Sequence, residues 1–359
     1  MPQVHQMLLE RVARIGHAYF KPLMLAAYMR ASVLEPKALG RPHEHVALLS
    51  PVASLLQQIE RFIVLVLTLS GRPGHLGRTY MNRLAHSLLR AAPDDCPWKD
   101  SGLPDMRAAD AIEFAASYVK AYIDNREDGD SWTDPRFGWE GVYSPANVAQ
   151  EVASRLRQGT GYYRWAFTKL VLLEYEESRR EAGNKPIALK WPWDNFSFDK
   201  TVEHIFPQNP GDDDEYWNAV IPIDGRSRAL RNAVVHSLGN LMLLSTKVNS
   251  SVSRLPFRTR DGSRCKRDAY AVGSHSETQV AQAFQTHDWG VACIAARGIA
   301  MLKFAEARWS FDFTDTPDDY SSYLPLLFGE KAEEVRQGNA SAGRRIDGRA
   351  LNPLVNALL

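Results

Sequence analysis

TVEHIFPQNP, residues Thr201 to Pro210, places a glutamate beside a histidine and a proline three residues later. The stretch reads as a short strand that ends near Pro207, since proline cannot donate to a strand ladder. Neighbouring strand residues face opposite sides, so Glu203 and His204 can serve one centre only where the strand twists or stops. A neutral imidazole is suited to taking a proton from water near neutral pH. A carboxylate and an Asn amide oxygen are the kind of ligand a hard divalent cation prefers. Residue chemistry alone gives an oxygen-rich site with a single imidazole and does not choose phosphate over other substrates. The bland alternative is two solvated residues on a surface hairpin.

Working outward, NLMLLS (Asn240–Ser245) is a short apolar run suited to a second strand, and Asn249 falls nine residues after Asn240, where a helix can begin. Strand, strand and helix would form one compact unit in which His204, Asn240 and Asn249 converge. Asn240 follows a glycine, so a simple turn competes with a bracing role. Between the strands lie an acidic loop, DDDEYW, and a short helix around Arg226 to Asn232. Asp212 to Glu215 read as solvent-facing acids rather than a metal site, and His236 as a structural or exposed histidine rather than a phosphate contact. Trp191, Trp193, Phe196 and Phe198 alternate as a strand or hairpin arm would, and packing is favoured over base stacking for them.

The rest of the 359-residue chain reads as helical. Leu8, Val12 and Ile15 keep the spacing of one buried helix face, and Val52 to Leu69 forms a longer apolar helix. Loops are expected over Ala91–Asp105 and Asn125–Asn147, and helices at Met106–Ile123, from Val148 onward with a break at Gly159 and Gly161, and from Trp289 to Trp309. The expected division is a helical domain over 1–150, a domain bearing the two-strand unit over 151–325, and a charged, mobile tail over 326–359. Composition is that of a soluble globular protein, 45% apolar and 24% charged, and a net charge of +1 advertises no nucleic-acid binder globally. Cys96, Cys265 and Cys293 lie far apart without a CxxC pair, which excludes a zinc ribbon and points to a reducing compartment. No signal-peptide core opens the chain, and Phe62–Leu69 is too short an apolar run to span a bilayer, so a cytoplasmic location without membrane partners is expected.

EHIFPQ at 203–208, LGNLMLL at 238–244, Asn249 and the Pro256–Phe257 pair together resemble the HNH (His-Me finger, ββα-metal) nucleases. More closely, they resemble the C-terminal nuclease half of GmrSD-type, modification-dependent restriction endonucleases. A Trp289…Arg297…Trp309 helix and an upstream Arg164…Glu174 helix extend the likeness over roughly 150–310. The family usually has a Lys after PFxx where this chain has Arg260, which keeps the charge. The resemblance implies a mainly helical fold with an embedded ββα-metal unit and metal-dependent DNA cleavage in restriction of foreign or modified DNA. It implies His204 as general base, Glu203 and Asn249 as ligands of one Mg²⁺ or Mn²⁺ ion, and Asn240 as the brace of the loop carrying the base.

Arg254, Arg258, Arg260, Arg264, Lys266 and Arg267 stand against one acid, Asp261, and are read as the surface that tracks DNA phosphates. One site per chain makes a nick the expected product. No G-x-x-x-x-G-K-[ST] loop occurs, so nucleotide hydrolysis and recognition of modified DNA are expected from a separate sensor domain or subunit. Two rival functions remain open: a non-catalytic DNA-binding or regulatory subunit on the same scaffold, and an RNA-cleaving toxin.

Overall fold

A computed structural model describes residues 9–12, 20–31, 42–90, 103–124, 143, 145–182, 201–211, 214–221, 228–244, 252, 254–338, 346 and 348–359. The described chain is mainly helical with one small antiparallel sheet of two strands. It divides into two compact units, 1–148 and 149–359.

The first unit is built from α1 (Lys21–Met29), α2 (Pro42–Phe62), α3 (Arg78–Ser87) and α4 (Ala108–Asp124). Phe62 is its pivot, packing edge-on to Phe20 at 5.4 Å and stacking on Tyr122 at 5.6 Å. Past Phe62 the expected apolar helix continues as a π-helix over Ile63–Leu69, a wider coil in which the Thr68 hydroxyl donates to Ile63 O five residues back. Ser50–Leu69 is long and apolar enough to cross a membrane, but 72% of that window is buried inside the chain, as in a core helix. Val12 is buried as expected, whereas Leu8 and Ile15 lie outside the described residues.

The second unit holds α5 (Pro145–Arg157), α6 (Ala166–Ala182), β1 (Val202–His204), α7 (Glu215–Val220), α8 (Arg228–Val235), β2 (Leu241–Leu243), α9 (Lys266–Tyr270), α10 (His275–Ala283), α11 (Val291–Trp309), α12 (Leu324–Phe328), α13 (Ala332–Gly338) and α14 (Gly348–Asn356). β1 and β2 pair antiparallel, with Val202 opposite Leu243, Glu203 opposite Met242 and His204 opposite Leu241. Both strands are three residues long, so the sheet cannot stand alone and depends on helices for burial. The principal support is α11, whose Ile294, Leu302, Ala305 and Trp309 are all buried. The acidic loop is partly helical: Asp214 caps α7 by accepting from Trp217 N–H at 3.0 Å. The aromatic arm at 191–198 lies outside the described residues.

The tail expected to be mobile is corrected over its described part. Leu351, Val355 and Leu358 recur at helical spacing, are buried, and contribute to the second unit's core. The Leu358 carbonyl accepts from Arg179 Nη2 at 2.9 Å and from Gln279 Nε2 at 2.7 Å, tying α14 to α6 and α10. The charged composition of 329–345 hid this apolar face.

The Leu238–Asn240 turn packs tightly against α11. A Cβ placed on Gly239 would lie 1.8 Å from Ile294 O and 2.6 Å from Gly298 N, both backbone atoms. Gly239→Ala is therefore expected to push the turn off α11. Overpacking of this kind costs about 1–3 kcal/mol, which lowers the thermal midpoint by ~2–4 °C per kcal/mol in a unit of this size. A midpoint equal to the wild type's in a thermal melt would contradict this account of the glycine.

Candidate active site

His204 ends β1, and the chain then turns through Ile205–Pro207. The turn is shaped by Asn240, which is fully buried. Its Oδ1 accepts from Phe206 N–H at 2.7 Å and from the Trp289 indole Nε1–H at 3.1 Å. Its Nδ2 donates to Phe206 O at 2.9 Å and to Val235 O at 2.8 Å. All four hydrogen-bonding positions of the amide are used, which leaves none for a substrate. Ile205 N–H also donates to Asn240 O at 3.0 Å. Asn240 thus makes the backbone bonds that a brace requires, and Trp289 orients it.

Beneath the turn, Arg297 of α11 donates through Nη1 to Gly239 O at 2.8 Å and to Leu241 O at 2.7 Å. The guanidinium is wholly buried, and that burial pulls its pKa down to about 10. Trp289 is enclosed by Phe257 and Phe284 at 5.3 and 5.2 Å, which gives Phe257 of the Pro256–Phe257 pair a packing role.

The His204 imidazole is 5% exposed and framed by three side chains. Gln208 Nε2 lies 2.8 Å from its Nδ1, and His236 Nδ1 lies 3.2 Å from its Nε2. The Tyr163 ring sits 4.7 Å from the His204 ring and stacks on His236 at 5.7 Å. With the Gln208 amide donating to Nδ1, His204 carries its proton on Nε2 and donates it to His236. Burial, the His236 imidazole and the Lys266 ammonium hold the His204 pKa well below the ordinary value of 6.5, and burial lowers that of His236. His204 is therefore neutral at neutral pH, as a general base must be.

Tyr163 comes from the loop between α5 and α6, which reaches His236 because Gly161 has φ +49° and no Cβ; an added Cβ would lie 2.9 Å from His236 O. Tyr162 N–H then donates to that carbonyl at 3.0 Å.

Glu203 faces a different neighbour. Lys266 Nζ lies 2.5 Å from Glu203 Oε1 and 3.2 Å from His204 O. Lys266 is corrected from the expected DNA-tracking set: its side chain is 0% exposed and inside the fold, where no phosphate reaches it. Burial raises the Glu203 pKa, with Lys266 pulling the other way, and lowers that of Lys266, with Glu203 opposing. The Glu203 side chain keeps 12% exposure, so its carboxylate borders solvent as well as the ammonium.

The other cations of the run are dispersed. Arg254, Arg260 and Arg264 are exposed. Arg258 pairs with Asp288 at 3.1 Å, and Arg267 is tied to Asp268 and to Gln285 O. Arg258 and Arg260 line a cleft of about 1300 Å³ together with Tyr216, Asp261, His287 and Asp288, and none of Glu203, His204 or Asn240 lines it. Asn249 lies outside the described residues. Among the described residues, no group of three or more His, Cys, Asp or Glu side chains converges as a metal site.

Tyr163, Gln208 and His236 were missed as parts of the frame. Gln208 carried a signal, standing four residues after His204 within EHIFPQ, but Tyr163 and His236 meet His204 only through tertiary packing.

Residues 149–304 match the family described as GmrSD restriction endonucleases, C-terminal domain. The match covers less than half of the chain, and for that segment the likeness implies a nuclease role in restriction. The matched segment contains β1, β2 and every residue of the His204 frame. No curated protein and no solved structure matches the chain.

Two measurements check this electrostatic picture. Because His204 and His236 bind protons less readily folded than unfolded, stability rises with pH wherever the unfolded chain binds more protons. The thermal midpoint is expected to be insensitive to these groups well above the ordinary histidine value of 6.5 and to fall as pH drops below it, with a shallower fall in His204→Asn. An identical slope in the variant would remove His204 as the cause. Lys266→Met strands a partly buried carboxylate, a loss of about 3–5 kcal/mol for a broken buried pair. It is expected to lower the thermal midpoint while leaving the salt dependence of DNA binding unchanged; a shallower dependence would restore Lys266 to the DNA surface.

Proposed function

We propose that the chain is an HNH-type endonuclease that hydrolyses DNA phosphodiester bonds with a divalent cation, acting in restriction of foreign or modified DNA. The observation that carries this reading is a neutral, buried imidazole at a strand end, braced by a saturated asparagine, inside a domain of the GmrSD restriction endonucleases.

In this reading His204 Nδ1, whose lone pair accepts from Gln208 in this state, takes the proton of the attacking water once the Gln208 amide swings aside. Nε2–H remains on His236, which fixes the tautomer and the ring plane. Asn240 keeps the base at the strand end and touches no substrate. Mg²⁺ or Mn²⁺ would be held by Glu203 and Asn249. The solvent edge of the Glu203 carboxylate suits a hard cation that keeps most of its waters, with Lys266 steadying the carboxylate from within. When bound, the ion supplies charge neutralisation at the phosphate and the leaving oxygen. Arg254, Arg260 and Arg264 would track phosphates away from the reacting bond. Selectivity for modified DNA would come from a separate sensor domain or subunit, and a nick is the proposed product of one site.

His204→Ala is expected to lower the DNA cleavage rate by about 10²–10⁴-fold, the contribution of a positioned base, with the thermal midpoint and DNA affinity nearly kept. Cleavage of plasmid by the pure chain with Mg²⁺, Mn²⁺ or chelator reads this directly. Residual activity within a few-fold of wild type would remove His204 from the chemistry. RNA cut in preference to DNA in the same assay would favour the toxin-like alternative.

A further inference from the structure

The frame around His204 ends in two guanidiniums that the DNA-tracking run does not include. Arg164 follows Tyr163 on the α5–α6 loop, is exposed, and has its Cζ 5.5 Å from the Tyr163 ring. Its backbone is left-handed, at φ +67°; among the described non-glycine residues only Ser310 shares that sign, and Ser310 is the C-cap of α11. A left-handed arginine is held against its own preference by the structure around it, here a loop bound to His236 through Tyr162 N–H and followed by the buried Trp165. Arg231 comes from a different element. It lies on α8, five residues before His236, and its Nη2 donates to Gln208 O at 3.2 Å. Each arginine is thus one residue removed from His204, Arg164 through Tyr163 and Arg231 through Gln208.

We infer that Arg164 and Arg231 form a two-armed clamp for the phosphate that is cleaved, an assignment that rests on the nuclease reading of His204. A phosphate attacked by water near Nδ1 must lie beside the Tyr163–His236–Gln208 frame, and these two guanidiniums each touch a member of that frame from separate elements. Planar forks can each take two phosphate oxygens and meet the charge that grows on them as the bond breaks. The acid-lined cleft of Arg258 and Arg260 carries Asp261 and Asp288 and does not include the base, so it fits remote contacts rather than the reacting phosphate.

The test uses the full chain, plasmid cleavage with Mn²⁺, and binding of a short labelled DNA duplex across a salt series. Arg164→Gly removes the side chain and suits the left-handed backbone, so its thermal midpoint should equal or exceed the wild type's while cleavage at saturating DNA falls by about 10²-fold, the effect of losing one such donor. Arg231→Gln, which leaves α8 intact, should fall similarly, and Arg164→Lys should keep part of the rate. Each loss should also reduce the slope of log affinity against log salt by about 0.9. If wild type cleaves and both variants cleave within twofold of it, the clamp is wrong and the nuclease reading stands. If wild type cleaves neither DNA nor RNA, the nuclease reading fails, and the binding series still decides the pair: an unchanged slope in the double variant overturns it.

Discussion

The amide of Asn240 is the interaction on which the site depends. One side chain joins the Phe206 turn, the end of α8 at Val235 and the Trp289 indole, three segments far apart in sequence. An amide offers two acceptor directions and two donors, and here each meets a partner of suitable geometry. Replacing it with an apolar residue would leave several buried backbone groups unpaired, the expensive case for hydrogen bonds. The buried Arg297 repeats the device one layer lower, giving its donors to Gly239 and Leu241 carbonyls on either side of Asn240. The site is held from behind, so its exposed side is left for other chemistry.

Charge is sorted by the two faces of β1. Alternation sends Glu203 and His204 to opposite sides. Glu203 meets the one lysine of the basic run that the fold encloses, while His204 meets only neutral side chains. The ammonium still reaches His204 through its carbonyl and its field, lowering proton affinity without competing for the imidazole nitrogens. A carboxylate on the imidazole's own side would have raised that affinity and delayed deprotonation. The separation therefore helps keep the His204 imidazole neutral.

Motif and hydrophobic period made much of this legible before the fold was known. The two strands, the α11 support and the glycine break at 159–161 all lie where apolar spacing and turn residues put them. Lys266 was misread because a run of cations looks like a solvated surface in one dimension. Cys265 instead caps a five-residue helix whose first residue, Lys266, points inward with Tyr270. The tail was misread for the converse reason: Leu351, Val355 and Leu358 form a clean apolar stripe, but the charged stretch before it dominated the composition. Tyr163 and His236 carried no local signal, since their value depends on a contact with His204 made only on folding. Asn249, which the resemblance put forward as a ligand, lies outside the described residues.

Four bonds that shape the site span long stretches of chain: 32 residues from His204 to His236, 34 from Phe206 to Asn240, 58 from Gly239 to Arg297 and 63 from Glu203 to Lys266. Contacts of such separation form only after a large loss of chain entropy, so they arrive together and late in folding. During synthesis, the strand bearing His204 leaves the ribosome well before Lys266, Trp289 and Arg297 exist. Until Trp289 and Arg297 are made, Asn240 lacks its indole partner and the Gly239 and Leu241 carbonyls lack their donor. The packing behind the Asn240 turn is thus complete only after the chain has been made through Arg297 and α11 has closed over the turn.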